Sequence, residues 1–419
     1  MVRSFEIPQY YSSPVVSLIK IARKREDQRK TDLTPSLLDL GIIRLKVARH
    51  FGFCFGVENA IEIAYRAINE NPSKRVFLLS EMIHNPHVNK DLVDRGVRFL
   101  MDTDGSRRIS FDELKPDDIV IVPAFGTTRE LFLELQRHGV NPRLYDATCP
   151  FVEKVWKRAD QLGKRGFSII IHGKQSHEET RATFSHARLS GPSLVIKDKK
   201  EALQLSEYLR GDKSYDGFSD DFKDRFSPEF QPERDLVRIG VVNQTTMLAS
   251  ETQEISAMLR DAMKCRYGEV TLSEHFADTR DTLCYATSEN QEATKGLIAA
   301  GGDLAIVVGG YNSSNTSHLV ELCEERLPTF YIKDCGEILS KNEIRHLDLR
   351  TNAVRITKSW LPNKGTTPVE ILVTAGASCP DAQVDSVITK IAQIYDVSEK
   401  LPQAMKPFEM AAHSGPSED

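Results

Sequence analysis

Three cysteines of this chain sit in similar surroundings. Cys54 lies in Gly52-Phe53-Cys54-Phe55-Gly56-Val57, Cys149 in Asp146-Ala147-Thr148-Cys149-Pro150, and Cys284 in Asp281-Thr282-Leu283-Cys284-Tyr285-Ala286-Thr287. Cys54 follows the strand-like run 44–48 and precedes a helical pattern. Cys149 stands between 143–145 and a helical stripe around Trp156, and Cys284 opens a segment of helical composition. A thiol at a helix N-terminus is expected to have a lowered pKa, because the dipole and the free N–H groups favour thiolate. Thiolate is the form that binds zinc or iron. Three such ligands, where four would close the shell, leave one metal position open for substrate. Position alone fits buried structural cysteines equally well, and spacing does not choose between zinc and iron–sulfur.

A second set of residues suits an anion. Gly309-Gly310-Tyr311-Asn312-Ser313-Ser314-Asn315 follows the apolar run 304–308 and opens a helix. Glycines let the chain turn, and N–H groups with Ser and Asn side chains can surround a phosphate. No Gly-Lys-Ser/Thr follows, so this is not a Walker A loop. Thr374-Ala375-Gly376-Ala377-Ser378 repeats the arrangement, although Ser378 and Asp381 also fit a capping box. His177-Glu178-Glu179 and Asn243-Gln244-Thr245-Thr246 each follow a strand-like run, and His84 lies in Glu81-Met82-Ile83-His84-Asn85-Pro86. Each loop reads equally as a plain turn, and each histidine as a surface or satisfied core residue. Their recurrence at the C-terminal ends of expected strands favours a ligand site, since open α/β sheets bind ligands there.

The elements that must position these groups alternate. Apolar runs at 76–79, 119–122, 168–171, 236–242, 304–308 and 370–374 read as strands of parallel sheets covered on both faces. Helical stripes follow. Val57, Ala60, Ile61, Ala64 and Ile68 form one, Val152, Val155, Trp156 and Ala159 another, and Val384, Val387, Ile388 and Ile391 a third. Such units imply an α/β architecture. The stretch 211–235 is polar, acidic and rich in turn residues, and reads as a surface insertion.

Composition sets the outer limits. The 419 residues are 40% hydrophobic and 27% charged, enough for two or three domains, and the net charge of −5 suggests neither a nucleic-acid nor a membrane partner. No apolar run approaches the ~20 residues of a membrane span. Val15 to Ala22 is broken by Lys20 and is too short for a signal-peptide core. Glu26, Asp27 and Asp32 make the leader less acid-poor than a transit peptide. Seven cysteines with no Cys-x-x-Cys pair argue against a disulfide framework and against a zinc ribbon.

Taken in order, GFCFGV with Ala60-Ile61, IHNP, DATCP, the His-Glu-Glu segment, NQTT, the Cys284 segment, NSSN and TAGAS resemble the 4-hydroxy-3-methylbut-2-enyl diphosphate reductase family. The match runs from about Lys46 to about Tyr395, and the length, the extension and the insertion resemble its plant and cyanobacterial branch. The resemblance implies three α/β domains with mostly parallel sheets, arranged pseudo-threefold around a central iron–sulfur cluster. Their expected bounds are 44–140, 141–250 and 251–368. Segment 369–399 would return near the first, with an N-terminal extension at 1–43 and a flexible tail at 400–419.

The resemblance also implies roles. Cys54, Cys149 and Cys284 match the ligands of one [4Fe–4S] cluster, whose fourth iron would bind the allylic hydroxyl of the substrate; Cys265, Cys323, Cys335 and Cys379 match no ligand position. Ser313, Ser314, Asn315 and Ser378 match the diphosphate-binding residues, with His84 and His177 beside them. Glu179 matches the acid that delivers protons, Thr245 the hydroxyl near the substrate oxygen, and Glu178 is expected to matter much less. Phe125 stands where the enterobacterial pattern has a histidine; it is expected either to form an apolar wall beside the ligand groups or to pack in the core.

The implied reaction is a two-electron reductive dehydroxylation of the allylic diphosphate to isopentenyl and dimethylallyl diphosphate. It needs an external donor such as ferredoxin or flavodoxin, since the chain has no flavin or dinucleotide fingerprint. The expected location is the cytoplasm, or the plastid stroma if the source is a photosynthetic eukaryote. A cysteine-dependent hydrolase would leave two of the three cysteines unexplained. An iron–sulfur sensor without turnover would leave Glu179 and the Ser-Ser-Asn run without a role.

Overall fold

The computed structural model describes residues 8, 11–277 and 282–413; Asp281 and the end of the expected tail, 414–419, lie outside them. The chain divides into two compact units, one of 1–58, 84–86 and 285–419, the other of 59–83 and 87–284. Both are α/β, with mostly parallel sheets.

The first unit is built on a seven-stranded sheet. Its strands run in the order Ser36–Asp39, Ile43–Val47, Val369–Ala375, Leu304–Val308, Thr329–Ile332, Glu343–Asp348, Ala353–Lys358. The four strands from Ile43–Val47 to Thr329–Ile332 are mutually parallel, and the others join antiparallel. Leu304–Val308 is buried at every position, as an apolar run in a sheet covered on both faces should be.

Both termini depart from expectation here. Pro14–Glu26 is a helix, N-capped by Ser13, whose Val16, Ile19 and Ala22 are buried. It packs on the helix Leu401–His413, which lies where a flexible tail was expected and buries Met405, Phe408 and Ala412. Each stripe is narrow and broken by charge, so its periodicity is weak until the two helices are placed side by side. Near the start of the chain, Lys20 reaches Asp381 at 2.6 Å and lies over the Phe51 ring.

The second unit carries two wholly parallel four-stranded sheets. One runs Arg98–Phe99, Val76–Leu78, Ile119–Val122, Tyr145–Asp146; the other Phe276–Ala277, Ile239–Asn243, Ser168–His172, Ser193–Ile196. The strand that precedes Cys54, Ile43–Val47, pairs with Val369–Ala375, which lies in the segment expected to return near it, while the strands within 76–140 form a sheet of their own.

The insertion 211–235 is not merely a surface loop. Phe218, Phe222 and Phe230 are buried in it, each burial contributing about 1.5–3 kcal/mol. Val195 N–H donates to Arg225 O and Ser227 N–H to Ser193 O, both at 2.9 Å, so the insertion covers the outer edge of Ser193–Ile196. Its phenylalanines recur at spacing four among acids and turn residues, which dilutes their signal.

Candidate functional site

The second unit brings together two of the three cysteines and the predicted acid. Cys149 is the N-cap of the helix Pro150–Lys164, its N–H donating to Ala124 O at 2.9 Å. Cys284 N–H donates to Thr245 O at 3.2 Å. Thr245 in turn holds Glu179: its N–H donates to Oε1 at 2.6 Å and its hydroxyl to Oε2 at 3.0 Å. Glu179 is 1% exposed, and burial pushes its carboxyl up to about 7 even though both hydrogen bonds from Thr245 pull it down. It therefore titrates near neutrality instead of being fully ionised there.

Cys149 reverses the expectation for a helix N-terminus. Burial pushes its thiol up to about 11, the nearby Cys284 and Glu179 push the same way, and the amides of Phe151 and Val152 only partly offset this. Dipole and amides alone do not make a thiolate here. A bound cation would, because a coordinated thiol is deprotonated outright. This pair of thiols therefore fits a metal group that supplies the positive charge.

His177 caps the helix Glu178–Ala187, its Nδ1 accepting from Glu179 N–H at 3.2 Å. An accepting Nδ1 assigns the ring proton to Nε2. Phe125 meets this ring edge-on at 5.6 Å and is only partly buried, which favours a wall beside His177 over a core position.

In the first unit three loops converge. Gly310 passes so close to His84 that an added Cβ would stand 2.3 Å from the His84 carbonyl oxygen. Ser378 Oγ donates to that same carbonyl at 3.2 Å. Asn315 Oδ1 accepts from Ala377 N–H at 2.9 Å, joining the loop after Leu304–Val308 to the loop after Val369–Ala375. Ser313 caps the helix Ser314–Glu324 and accepts from Thr316 N–H. The capping-box reading of Ser378 and Asp381 does not hold: Pro380 is the N-cap there, and Asp381 is engaged by Lys20.

Among the described residues, Ser314 Oγ and Asn315 Nδ2 are buried with no hydrogen-bond partner. Leaving such groups unmet costs about 1–3 kcal/mol each, so two together mark a place built for an acceptor. Cys54 belongs to this unit, at the start of the helix Phe55–Glu70, where its carbonyl accepts from Glu58 N–H at 3.0 Å. No cysteine is in a disulfide. Among the described residues no three His, Cys, Asp or Glu side chains are gathered closely enough to hold a metal ion. Glu178, expected to matter much less than Glu179, is also buried.

Residues 45–392 match the family model described as LytB protein. The chain belongs to the LytB family. Relatives include the 4-hydroxy-3-methylbut-2-enyl diphosphate reductase of Gloeobacter violaceus, 39% identical over 383 residues that cover 90% of this chain and 89% of that protein. The reductase of the same name from Prochlorococcus marinus is 41% identical over 362 residues, covering 85% and 86%.

A solved structure of (E)-4-hydroxy-3-methyl-but-2-enyl diphosphate reductase, described as the terminal enzyme of the non-mevalonate pathway, aligns with a TM-score of 0.50 and 25% identity over 83% of this chain and 98% of that one. The reductase from Plasmodium falciparum shares the fold, with a TM-score of 0.60, 21% identity and coverage of 83% and 87%. As a LytB protein the chain is an enzyme, a reductase, and membership of the family implies iron–sulfur chemistry. Among the described residues no helix is long and apolar enough to cross a membrane.

Proposed function

We propose that this LytB protein reduces (E)-4-hydroxy-3-methylbut-2-enyl diphosphate, replacing the allylic hydroxyl with hydrogen. Two electrons and two protons enter, the C–O bond breaks, water leaves, and the products are isopentenyl and dimethylallyl diphosphate. The observation that carries this reading is Glu179, a buried carboxyl held by Thr245 through both oxygens and raised to a pKa of about 7. Hydroxide is a poor leaving group, and an acid of this kind turns it into water.

Cys54, Cys149 and Cys284 would hold one [4Fe–4S] cluster. When bound, that group supplies electrons one at a time and a Lewis-acidic iron for the hydroxyl. A soluble one-electron donor such as ferredoxin or flavodoxin recharges it. The chain's own residues do the rest. Ser314 and Asn315 donate to the diphosphate, with Ser313, Ser378, His84 and Nε2–H of His177 around it. Thr245 keeps both oxygens of Glu179 in one orientation, so that the proton is delivered at a fixed atom. Phe125 lines the His177 ring and keeps water from it, which strengthens the electrostatics of the remaining donors.

The test is anaerobic turnover of the diphosphate with a chemical one-electron reductant. Glu179→Gln keeps size and hydrogen bonding, and should lower kcat roughly 10²-fold or more with the iron–sulfur absorption unchanged. Serine at Cys54, Cys149 or Cys284 should remove that absorption, and serine at Cys265 or Cys335 should leave it. A parent protein that carries the cluster but never releases the hydroxyl overturns the proposal.

A further inference from the structure

The helix Glu178–Ala187 buries an acidic first turn, which is rare for glutamate unless it is paired. Glu178 is 8% exposed, and Ser80, the second residue beyond the strand Val76–Leu78, donates its hydroxyl to Glu178 Oε1. One turn on, Arg181 lies close enough for its charge to feel Glu178; its guanidinium donates to Ser176 O and, at 2.6 Å, to Thr103 O. Ser80 and Thr103 lie in the loops that follow Val76–Leu78 and Arg98–Phe99, two strands of one sheet. Glu179 is in the helix that follows Ser168–His172, and Thr245 in the loop after Ile239–Asn243, two strands of the other. The first turn of this helix is thus tied to one sheet while its catalytic acid works over the other.

We infer that Glu178 is a positioning residue: through Ser80 it pins the first turn of the Glu178–Ala187 helix, and so sets the carboxyl of Glu179 and the ring of His177. The two neighbours divide the labour by helical geometry. Successive residues project about 100° apart, so Glu178 faces Ser80 while Glu179 faces Thr245. A carboxylate accepting from a buried hydroxyl makes a strong and directional tether. Loss of it frees the turn to rotate, and a shift of about 1 Å at a reacting group costs up to about 10²-fold in rate. This inference rests on the proposed role of Glu179.

The experiment compares Glu178→Ala, Glu178→Gln, Ser80→Ala and the Ser80→Ala/Glu178→Ala double variant, each reconstituted anaerobically. Turnover is measured beside hydrogen–deuterium exchange of peptides spanning 177–187 and 243–247, a readout that does not depend on turnover. Glu178→Ala should lower kcat about tenfold or more, with a smaller change in KM, and should speed exchange in both peptides. Glu178→Gln should recover most of the loss, because an amide oxygen still accepts from Ser80. The double variant should be no worse than Glu178→Ala, since both changes remove one link. If Glu178→Ala fails to fold, Ser80→Ala carries the same expectation with a smaller cavity. Parent-like kcat and exchange in Ser80→Ala, or a loss in Glu178→Ala that Glu178→Gln does not recover, overturns the inference. A parent that shows no turnover at all overturns the proposed reaction, while accelerated exchange in Ser80→Ala would still report the tether.

Discussion

Glu179 keeps its proton because it is kept from water, and that has a cost that can be measured. Its folded pKa of about 7 lies above the ordinary 4.5. Below pH 4.5 the group is protonated whether the chain is folded or not. Between 4.5 and 7 the folded chain binds more proton than the unfolded one, so stability falls as pH rises through that window. The parent should lose on the order of 3 kcal/mol relative to Glu179→Gln between pH 4.5 and pH 8. Denaturant unfolding at several pH values measures it, and a flat difference would mean that the carboxyl is charged in the folded state. At this scale the places of the cysteines, Glu179, Thr245 and the Ser-Ser-Asn run at strand and helix ends were legible, because such side chains announce themselves by type and by position after a strand-like run. The raised thiol of Cys149 was not, since burial is a property of the surroundings and outweighs the local helix terminus. The burial of Glu178 was not legible either, because an acid in a first helical turn normally faces water.

Loops at strand ends carry most of the candidate site, and their tightness is set by glycine. Gly310→Ala would drive a Cβ to 2.3 Å from the His84 carbonyl oxygen, so the two loops must part. Such overpacking costs about 1–3 kcal/mol. Affinity for inorganic pyrophosphate, followed by calorimetry, should fall with it, since Ser378 loses its acceptor at the same carbonyl. Unchanged stability and unchanged affinity would show that the loops adapt freely. The strands and helices behind these loops were readable from period and β-branched content. The start of the strand Ile239–Asn243 was read early, at Leu236, because that residue is equally apolar but buried at the end of a short helix. The pairing of Ser378 with His84 rather than with its own helix had no local signal, because it joins residues far apart in the chain.

Across the whole molecule, sequence order and spatial grouping disagree most at the ends. The helices Pro14–Glu26 and Leu401–His413 each carry a stripe too narrow to stand alone, and each completes the other. Met405→Ala should cost about 2–5 kcal/mol, as for a buried core methionine, whereas a free tail would tolerate it; thermal unfolding distinguishes the two. The α/β class was legible from alternating strand and helix patterns, but the grouping of strands was not. Hydrophobic period gives burial, the resemblance implied that 369–399 returns near the first strands, and the register sets Ile43 beside Val369.

That register also sets an order of events during synthesis. The unit of 59–83 and 87–284 is nearly continuous, and both of its sheets are complete once residue 277 is available. The strand Ile43–Val47 emerges before either sheet, yet its parallel neighbour Val369–Ala375 arrives close to the last. Until then it has only the short strand Ser36–Asp39 beside it, a hairpin that is marginal in water. A nascent chain of this protein therefore carries an apolar edge through most of its translation, and ribosome-bound chains cut short of residue 369 should bind chaperones and aggregate where full-length chains do not.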